Sequence, residues 1–94
     1  MKVLWTAAAQ SHLTAIHEHI AKDSLRYAQR MVDRLTNRSQ QIGQFPESGQ
    51  IVPEYGDPAI REVVEGAYRL IYCIEESRVV VLSVVHGARL LPPG

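Results

Sequence analysis

Three apolar runs separated by very short gaps leave the last third of this chain few ways to fold. The runs cover residues 60–65, 68–75 and 79–86, and turn residues separate them at Gly66-Ala67 and around residues 75–78. A parallel crossover needs about a dozen residues or more, so gaps of this length allow only antiparallel hairpins. The pattern therefore predicts an antiparallel β-meander.

The first half of the chain is predicted to be a short strand followed by a helix hairpin. Residues 2–5 are β-like and end at Thr6, a good N-cap, and Ser24 offers a second N-cap before a longer segment that must stop by residues 43–46. Apolar residues recur at helical spacing through both segments. These are Ala9, Leu13, Ile16, Ile20, Ala28, Met31, Val32, Leu35 and Ile42.

These elements predict one α+β domain spanning residues 1–94. The antiparallel helix hairpin should pack on one face of an antiparallel sheet of about four strands. The N-terminal strand should join that sheet at an edge or beside the last strand, and residues 50–53 are a further extended candidate.

Composition excludes several classes of protein. Lysine and arginine total ten, as do aspartate and glutamate, so no overall charge attracts nucleic acid or anionic lipid. Cys73 is the single cysteine, which excludes an intrachain disulfide and a multi-cysteine zinc site. The longest apolar run is far shorter than a membrane span. We expect a soluble cytoplasmic protein with no membrane partner.

No metal or cofactor is expected. His12 and His19 lie about two helical turns apart while His17 faces elsewhere, and no carboxylate completes a tight site. The glycines of residues 47–57 lack the lysine of a phosphate-binding loop.

Arg69 lies inside an apolar strand, where a cation needs an ion-pair partner or an open face. Its predicted partner is Glu62 or Glu75 across the sheet. A turn of two or four residues in the last hairpin pairs Arg69 with Val84. Strand alternation then places a charged and aliphatic set on the face away from the helices, where contiguous apolar surface favours a partner-binding site. The set is Arg69, Ile71, Val80, Leu82, Val84 and His86.

The face occupied by Arg61 depends on the preceding turn. A loop of three residues would place Arg61 on the Arg69 face, whereas a loop of two would place it on the other face. The sequence leaves both registers open. On the second helix, four arginines recur at every fourth position and predict either a solvated face or a contact surface. They are Arg26, Arg30, Arg34 and Arg38.

The order and spacing of these elements resemble the RelE/ParE superfamily of bacterial toxins over nearly the whole chain. The resemblance rests on the strand, the helix hairpin, the Phe45-Pro46-x-x-Gly49 turn, and residues 60–62, 68–72 and 85–89. It implies a cytoplasmic toxin of a type II toxin-antitoxin pair. It also implies a hetero-oligomer with a cognate antitoxin, for which a ribbon-helix-helix type is expected.

The superfamily contains two branches with different targets. The RelE-like branch cleaves messenger RNA on the ribosome, and the resemblance aligns Arg69 with an arginine at the scissile phosphate. His86, Arg61 and Arg89 would complete that catalytic set. A guanidinium can hold the phosphate through paired hydrogen bonds, and an imidazole can move a proton. The ParE-like branch instead poisons DNA gyrase.

Three features favour the gyrase-directed branch. The net charge is zero, the only lysines are Lys2 and Lys22, and residues 90–94 contain no tyrosine. Ribosome-dependent RNA cleavage is the alternative, so an enzymatic activity is left open. A second alternative is a degenerate toxin that acts only as a regulatory binding module.

Overall fold

A computed structural model describes residues 1–87 as two helices packed on one face of a five-stranded sheet. The α+β class predicted from the sequence is confirmed. A short 3₁₀ turn, Pro46–Ser48, follows the second helix. The elements in chain order are β1 (Lys2–Trp5), α1 (Ala7–Ala21), α2 (Leu25–Gln44), β2 (Gln50–Ile51), β3 (Ile60–Glu65), β4 (Tyr68–Ile74) and β5 (Arg78–His86).

The strands lie in the order β1-β5-β4-β3-β2. The antiparallel meander β3-β4-β5 is confirmed, and β2 adds an antiparallel edge strand of two residues. β1 occupies the other edge beside the last strand, as predicted, but runs parallel to β5. The sheet is therefore mixed, with one more strand than the predicted four.

Both helices begin at their predicted caps. The Thr6 hydroxyl accepts a hydrogen bond from the Ala9 amide at 3.0 Å, and the Ser24 hydroxyl accepts one from the Tyr27 amide at 3.2 Å. Each cap satisfies an amide that the first helical turn leaves without an intrahelical partner. α2 ends immediately before Phe45 and Pro46, since proline disfavours helical geometry in the residue before it.

The main core lies between the helices and the inner face of the sheet, which is the face toward α1 and α2. The helices contribute the predicted apolar positions, led by Ala9, Ile16, Leu35 and Ile42. The face away from the helices is called the outer face. The buried strand residues of the inner face are Val63, Leu70, Tyr72, Val79, Val81 and Val84.

The turn between β3 and β4 contains two residues, Gly66 and Ala67, because Glu65 pairs with Tyr68. Gly66 has φ +59°, and a glycine with positive φ at the first central position matches a type II′ hairpin turn. This turn selects one of the two registers left open by the sequence. Arg61 therefore lies on the inner face, opposite to Arg69.

An extra residue in β5 changes the register of the last hairpin. The pairing follows the prediction from the turn as far as Tyr72 with Val81, but Ile71 then lies opposite Ser83. Leu82 is the additional residue of this β-bulge. A bulge places two residues of one strand opposite one residue of its partner, so the alternation of side chains changes phase beyond it.

The predicted pairing of Arg69 with Val84 is wrong, because Arg69 lies opposite Val85 beyond the bulge. Val84 is consequently a core residue, with 3% of its surface exposed. His86 pairs with Tyr68 and shares the inner face with it. Val84 and His86 were both predicted on the outer face, so these two placements are wrong.

Side chains at the start of α1 bind the irregular backbone of this bulge. The Thr6 hydroxyl donates to the Leu82 carbonyl at 3.2 Å, while Nδ1 of His12 accepts from the Val84 amide at 3.2 Å. Buried backbone groups outside a regular ladder need such partners. The bulge is thus fixed to the adjacent helix as well as to β4.

Tyr72 anchors the segment between α2 and β2 to the centre of the sheet. Its hydroxyl donates to the Pro46 carbonyl at 2.6 Å and accepts from the Gly49 amide at 3.0 Å. A Cβ on Gly49 would lie 2.5 Å from that hydroxyl, so only glycine allows this close approach. Burial raises the pKa of the Tyr72 phenol, because the ionised form would lose its hydration.

Replacing Tyr72 with phenylalanine should lower the free energy of unfolding by about 1–3 kcal/mol, because two buried backbone groups lose their partner. Urea denaturation at pH 7 measures the effect, and Tyr27→Phe on the exposed face of α2 is the control. Because the pKa of the Tyr72 phenol is higher in the folded protein, folding favours the protonated phenol. This contribution to stability is complete below the usual tyrosine pKa of about 10 and is lost as the pH rises above it. The difference between wild type and Tyr72→Phe should therefore shrink above about pH 10. Equal stability of the two proteins at pH 7 would contradict this role.

Candidate functional site

Arg69 is the second residue of β4 and lies on the outer face, where its guanidinium is held by two carboxylates. Nη1 and Nη2 donate to the two oxygens of Glu54 at 2.9 and 3.0 Å. Nη2 and Nε donate to the two oxygens of Glu62 at 2.5 and 3.3 Å. The predicted ion pair with Glu62 is confirmed, whereas Glu75 instead pairs with Arg78.

These ion pairs keep the Arg69 guanidinium charged and bound to the two carboxylates. Only 8% of its surface is exposed, and the hydrogen bonds with Glu54 and then Glu62 raise the pKa of its guanidinium. Bidentate contacts between arginine and carboxylate are strong and geometrically specific. An incoming phosphate would have to displace at least one carboxylate before it could bind this cation.

Glu54 belongs to the loop of residues 52–59, which connects β2 to β3. The bond between Glu54 and Arg69 places this loop against part of the outer face. Ile71, on the same face, is 1% exposed and is therefore already covered. A loop glutamate that meets a strand arginine distant in sequence follows no periodic pattern, so the sequence did not identify it.

The other predicted catalytic residues do not join Arg69. Arg61 lies on the inner face, where its Nε donates to the Pro58 carbonyl at 2.9 Å and its Nη1 donates to the Gly49 carbonyl at 3.0 Å. These bonds give Arg61 a structural role in holding the segments on either side of β2. Arg89 lies outside the described residues.

His86 is exposed at the end of β5 and meets Tyr68 edge to face, with ring centroids 5.9 Å apart. It lines a cleft of about 380 Å³ between α1 and β5, together with His12 and His19. Arg69 and His86 are thus on opposite faces of the sheet, because of the bulge in β5. Within residues 1–87 the structure does not assemble the predicted set of Arg69, His86 and Arg61.

The predicted partner-binding set is also divided. Arg69, Ile71 and Val80 lie on the outer face, whereas Val84 is in the core and His86 is on the inner face. Leu82 is the half-buried bulge residue. A half-buried aliphatic strip remains across β1 and β5, here called the outer strip. It consists of Leu4, Val80 and Val85.

Cys73 is unsuited to act as a nucleophile. Burial is the main cause that raises the pKa of its thiol, and the nearby carboxylates of Glu75 and Asp57 act in the same direction. A raised pKa keeps the sulfur in its less reactive protonated form.

Residues 1–87 were compared with the requirements of a metal site and of a membrane-spanning helix. No group of three or more histidine, cysteine, aspartate or glutamate side chains in this part of the chain is arranged to hold a metal ion. Neither of its helices combines the length and the apolar character that crossing a membrane requires.

Replacing Arg69 with alanine should lower the free energy of unfolding by about 3 kcal/mol or more, because two largely buried carboxylates lose their shared cation. Arg78→Ala is the matched control, since its pair with Glu75 is exposed and should contribute about 1 kcal/mol or less. Urea denaturation of the two variants measures the difference. Equal losses of stability would contradict a buried ion-pair cluster.

Comparison with known proteins identifies the family. Residues 3–91 match the family described as the ParE toxin of the type II toxin-antitoxin system parDE. Toxin RelE2 of Caulobacter vibrioides is 33% identical over 90 residues, which cover 95% of this chain and 98% of that protein.

Two solved structures share the fold. The chromosomal ParDE toxin-antitoxin system from P. aeruginosa superposes with a TM-score of 0.76 at 18% identity, over 92% of this chain and 95% of the other. The toxin-antitoxin complex RelBE2 from Mycobacterium tuberculosis superposes with a TM-score of 0.59 at 21% identity, over 94% of this chain and 92% of the other. The resemblance predicted from the sequence is confirmed. The chain belongs to the ParE toxin family, within the RelE/ParE superfamily, and is the toxin of a type II toxin-antitoxin system.

Proposed function

We propose that this toxin arrests growth by poisoning DNA gyrase in the cytoplasm and that a cognate antitoxin neutralises it. The observation that supports this target is the separation of the cations needed for RNA cleavage. Arg69 is held by Glu54 and Glu62, while Arg61 and His86 lie on the other face of the sheet. Stabilising a pentacovalent phosphate requires donors that converge on one point.

The charge of the chain supports the same proposal. Ten cationic residues are balanced by ten carboxylates. Binding to ribosomal RNA would favour a surplus of positive charge, because each neutralised phosphate contributes to affinity. Binding to a protein target does not require a surplus of positive charge.

Ribosome-dependent cleavage of messenger RNA is the second candidate. The observation that favours it is the relative named RelE2, whose similarity extends over nearly the whole chain. For this activity Arg69 would have to leave Glu54 and meet a proton-transferring group on the outer face. The two functions make opposite predictions for purified components.

For the antitoxin, we propose that it covers the outer strip of Leu4, Val80 and Val85. The two similar structures are described as toxin-antitoxin systems or complexes, which supports a partner of this kind. Half-buried aliphatic side chains on adjacent strands gain stability when a partner removes them from water. A ribbon-helix-helix antitoxin with an apolar C-terminal segment would suit this surface.

Added to purified gyrase, the toxin should inhibit supercoiling and accumulate cleaved DNA, and prior addition of antitoxin should prevent both effects. Programmed ribosomes should leave messenger RNA intact at the same toxin concentration. The alternative would be established if the wild-type toxin cleaved messenger RNA on the ribosome and had no effect on gyrase, and if Arg69→Ala abolished the cleavage. Normal growth on expression without antitoxin would favour the degenerate toxin and contradict both.

Val80→Ser should weaken antitoxin binding by about tenfold, because burial of an aliphatic side chain contributes about 1.5 kcal/mol or more. Calorimetric titration measures the affinity. Val64→Ser is the matched control, since Val64 is also on the outer face, on β3, and is 60% exposed. Equal effects of the two substitutions would contradict the outer strip as the antitoxin site.

A further inference from the structure

The four arginines of α2 do not form a straight row. Positions four residues apart in an α-helix advance by about 40° around its axis, so Arg26, Arg30, Arg34 and Arg38 wind progressively around the helix. Arg26 and Arg30 lie roughly opposite to the buried residues Ala28 and Leu35. The two later arginines approach the sheet.

The two later arginines are used within the fold. Nη2 and Nε of Arg34 donate to one oxygen of Glu65 at 2.6 and 2.9 Å. Nη1 of Arg38 donates to the Gln41 side-chain oxygen at 3.3 Å. The charge of Arg34 therefore serves an ion pair within the chain, whereas the half-buried Arg38 bonds a neutral side chain of its own helix.

The two earlier arginines face outward. Both are exposed, and no carboxylate of residues 1–87 lies within 4.0 Å of either guanidinium. The Arg30 guanidinium lies over the Tyr27 ring, with its central carbon 5.7 Å from the ring centroid. Stacking restrains the arginine while its donors remain directed at solvent.

Large apolar side chains flank these cations. Leu25 is 67% exposed and Tyr27 is 62% exposed. Leu25, Arg26, Tyr27 and Arg30 are called the α2 patch. Tyrosine and arginine are prominent among the residues that contribute most energy to protein interfaces, and a restrained pair loses little entropy on binding.

We propose that the α2 patch binds an acidic surface of the toxin's protein target, which is gyrase if the proposed function holds. Carboxylates of the target would pair with Arg26 and Arg30, while its apolar side chains pack against Leu25 and Tyr27. Arg34 and Arg38 take no part, because they are directed toward the sheet.

A protein fits this patch better than the other possible occupants. Nucleic-acid binding through phosphates commonly uses about 6–10 contacts, whereas residues 22–30 supply three cations and one carboxylate. A symmetric dimer through the patch would bring two copies of the same positively charged surface together. An acidic protein surface supplies the opposite charge and the apolar contacts together.

The patch and the outer strip lie on opposite sides of the molecule, since the helices cover the inner face of the sheet. Target binding and antitoxin binding should therefore respond to different substitutions. This separation allows antitoxin binding to serve as an internal control for correct folding.

The double variant Arg26→Gln/Arg30→Gln should require about tenfold more protein to inhibit gyrase and should lose growth arrest to a similar degree. Its antitoxin affinity and its urea midpoint should match those of the wild type. Arg34→Gln/Arg38→Gln removes the same charge from the same helix and should retain activity per folded molecule. Arg26→Lys/Arg30→Lys should restore part of the activity because it restores the charge.

Three results would overturn this inference. These are unchanged activity of Arg26→Gln/Arg30→Gln, an equal loss in both double variants, and a parallel loss of antitoxin affinity. A loss of binding to a short DNA duplex, with no loss of binding to gyrase subunits, would assign the patch to nucleic acid and also overturn it. If the wild type arrests growth without inhibiting gyrase, the proposed target fails, and growth arrest by the variants then decides the role of the patch.

Discussion

The bulge in β5 is the constraint on which the arrangement of both sheet faces depends. β5 lies between β1 and β4 and packs against α1, so a change in its alternation affects three neighbouring elements. The additional residue, Leu82, brings Val84 into the core and leaves Arg69 opposite Val85. Thr6 and His12 bind the irregular backbone from the adjacent helix. A regular β5 would bury a different set of side chains and place His86 beside Arg69.

The structure uses much of its positive charge internally. Arg34 binds Glu65, Arg61 binds backbone carbonyls, and Arg69 joins the loop of residues 52–59 to the sheet. A guanidinium suits this purpose, because its planar donors can bind several acceptors at once. Such arginines stabilise the molecule and are poorly placed to bind phosphate. The number of arginines in strands and helices therefore does not by itself indicate a phosphate-binding site.

The element boundaries could be predicted because their signals are local. Thr6, Ser24 and Gly66-Ala67 mark caps and a turn by their own chemistry, and the short gaps require antiparallel pairing. The bulge could not be predicted, because residues 79–85 are apolar on both faces apart from Ser83, so a change of phase leaves the hydrophobic pattern almost unaltered. The ion pair of Glu54 with Arg69 was missed for another reason. It joins a loop to a strand, and such a contact is fixed only by the completed tertiary structure.

The parallel pairing of β1 with β5 bears on how the toxin is made. Lys2 lies beside Arg78, so β1 must wait for β5 to be synthesised before the two strands can pair. Closing so long a loop of chain is entropically costly and slow compared with forming the local hairpins. The bond from Thr6 to the bulge must wait for the same strand, whereas the cap that Thr6 provides for α1 is local. A nascent chain therefore cannot complete this sheet until β5 has left the ribosome, which leaves an interval in which an antitoxin already present can meet an incompletely folded toxin.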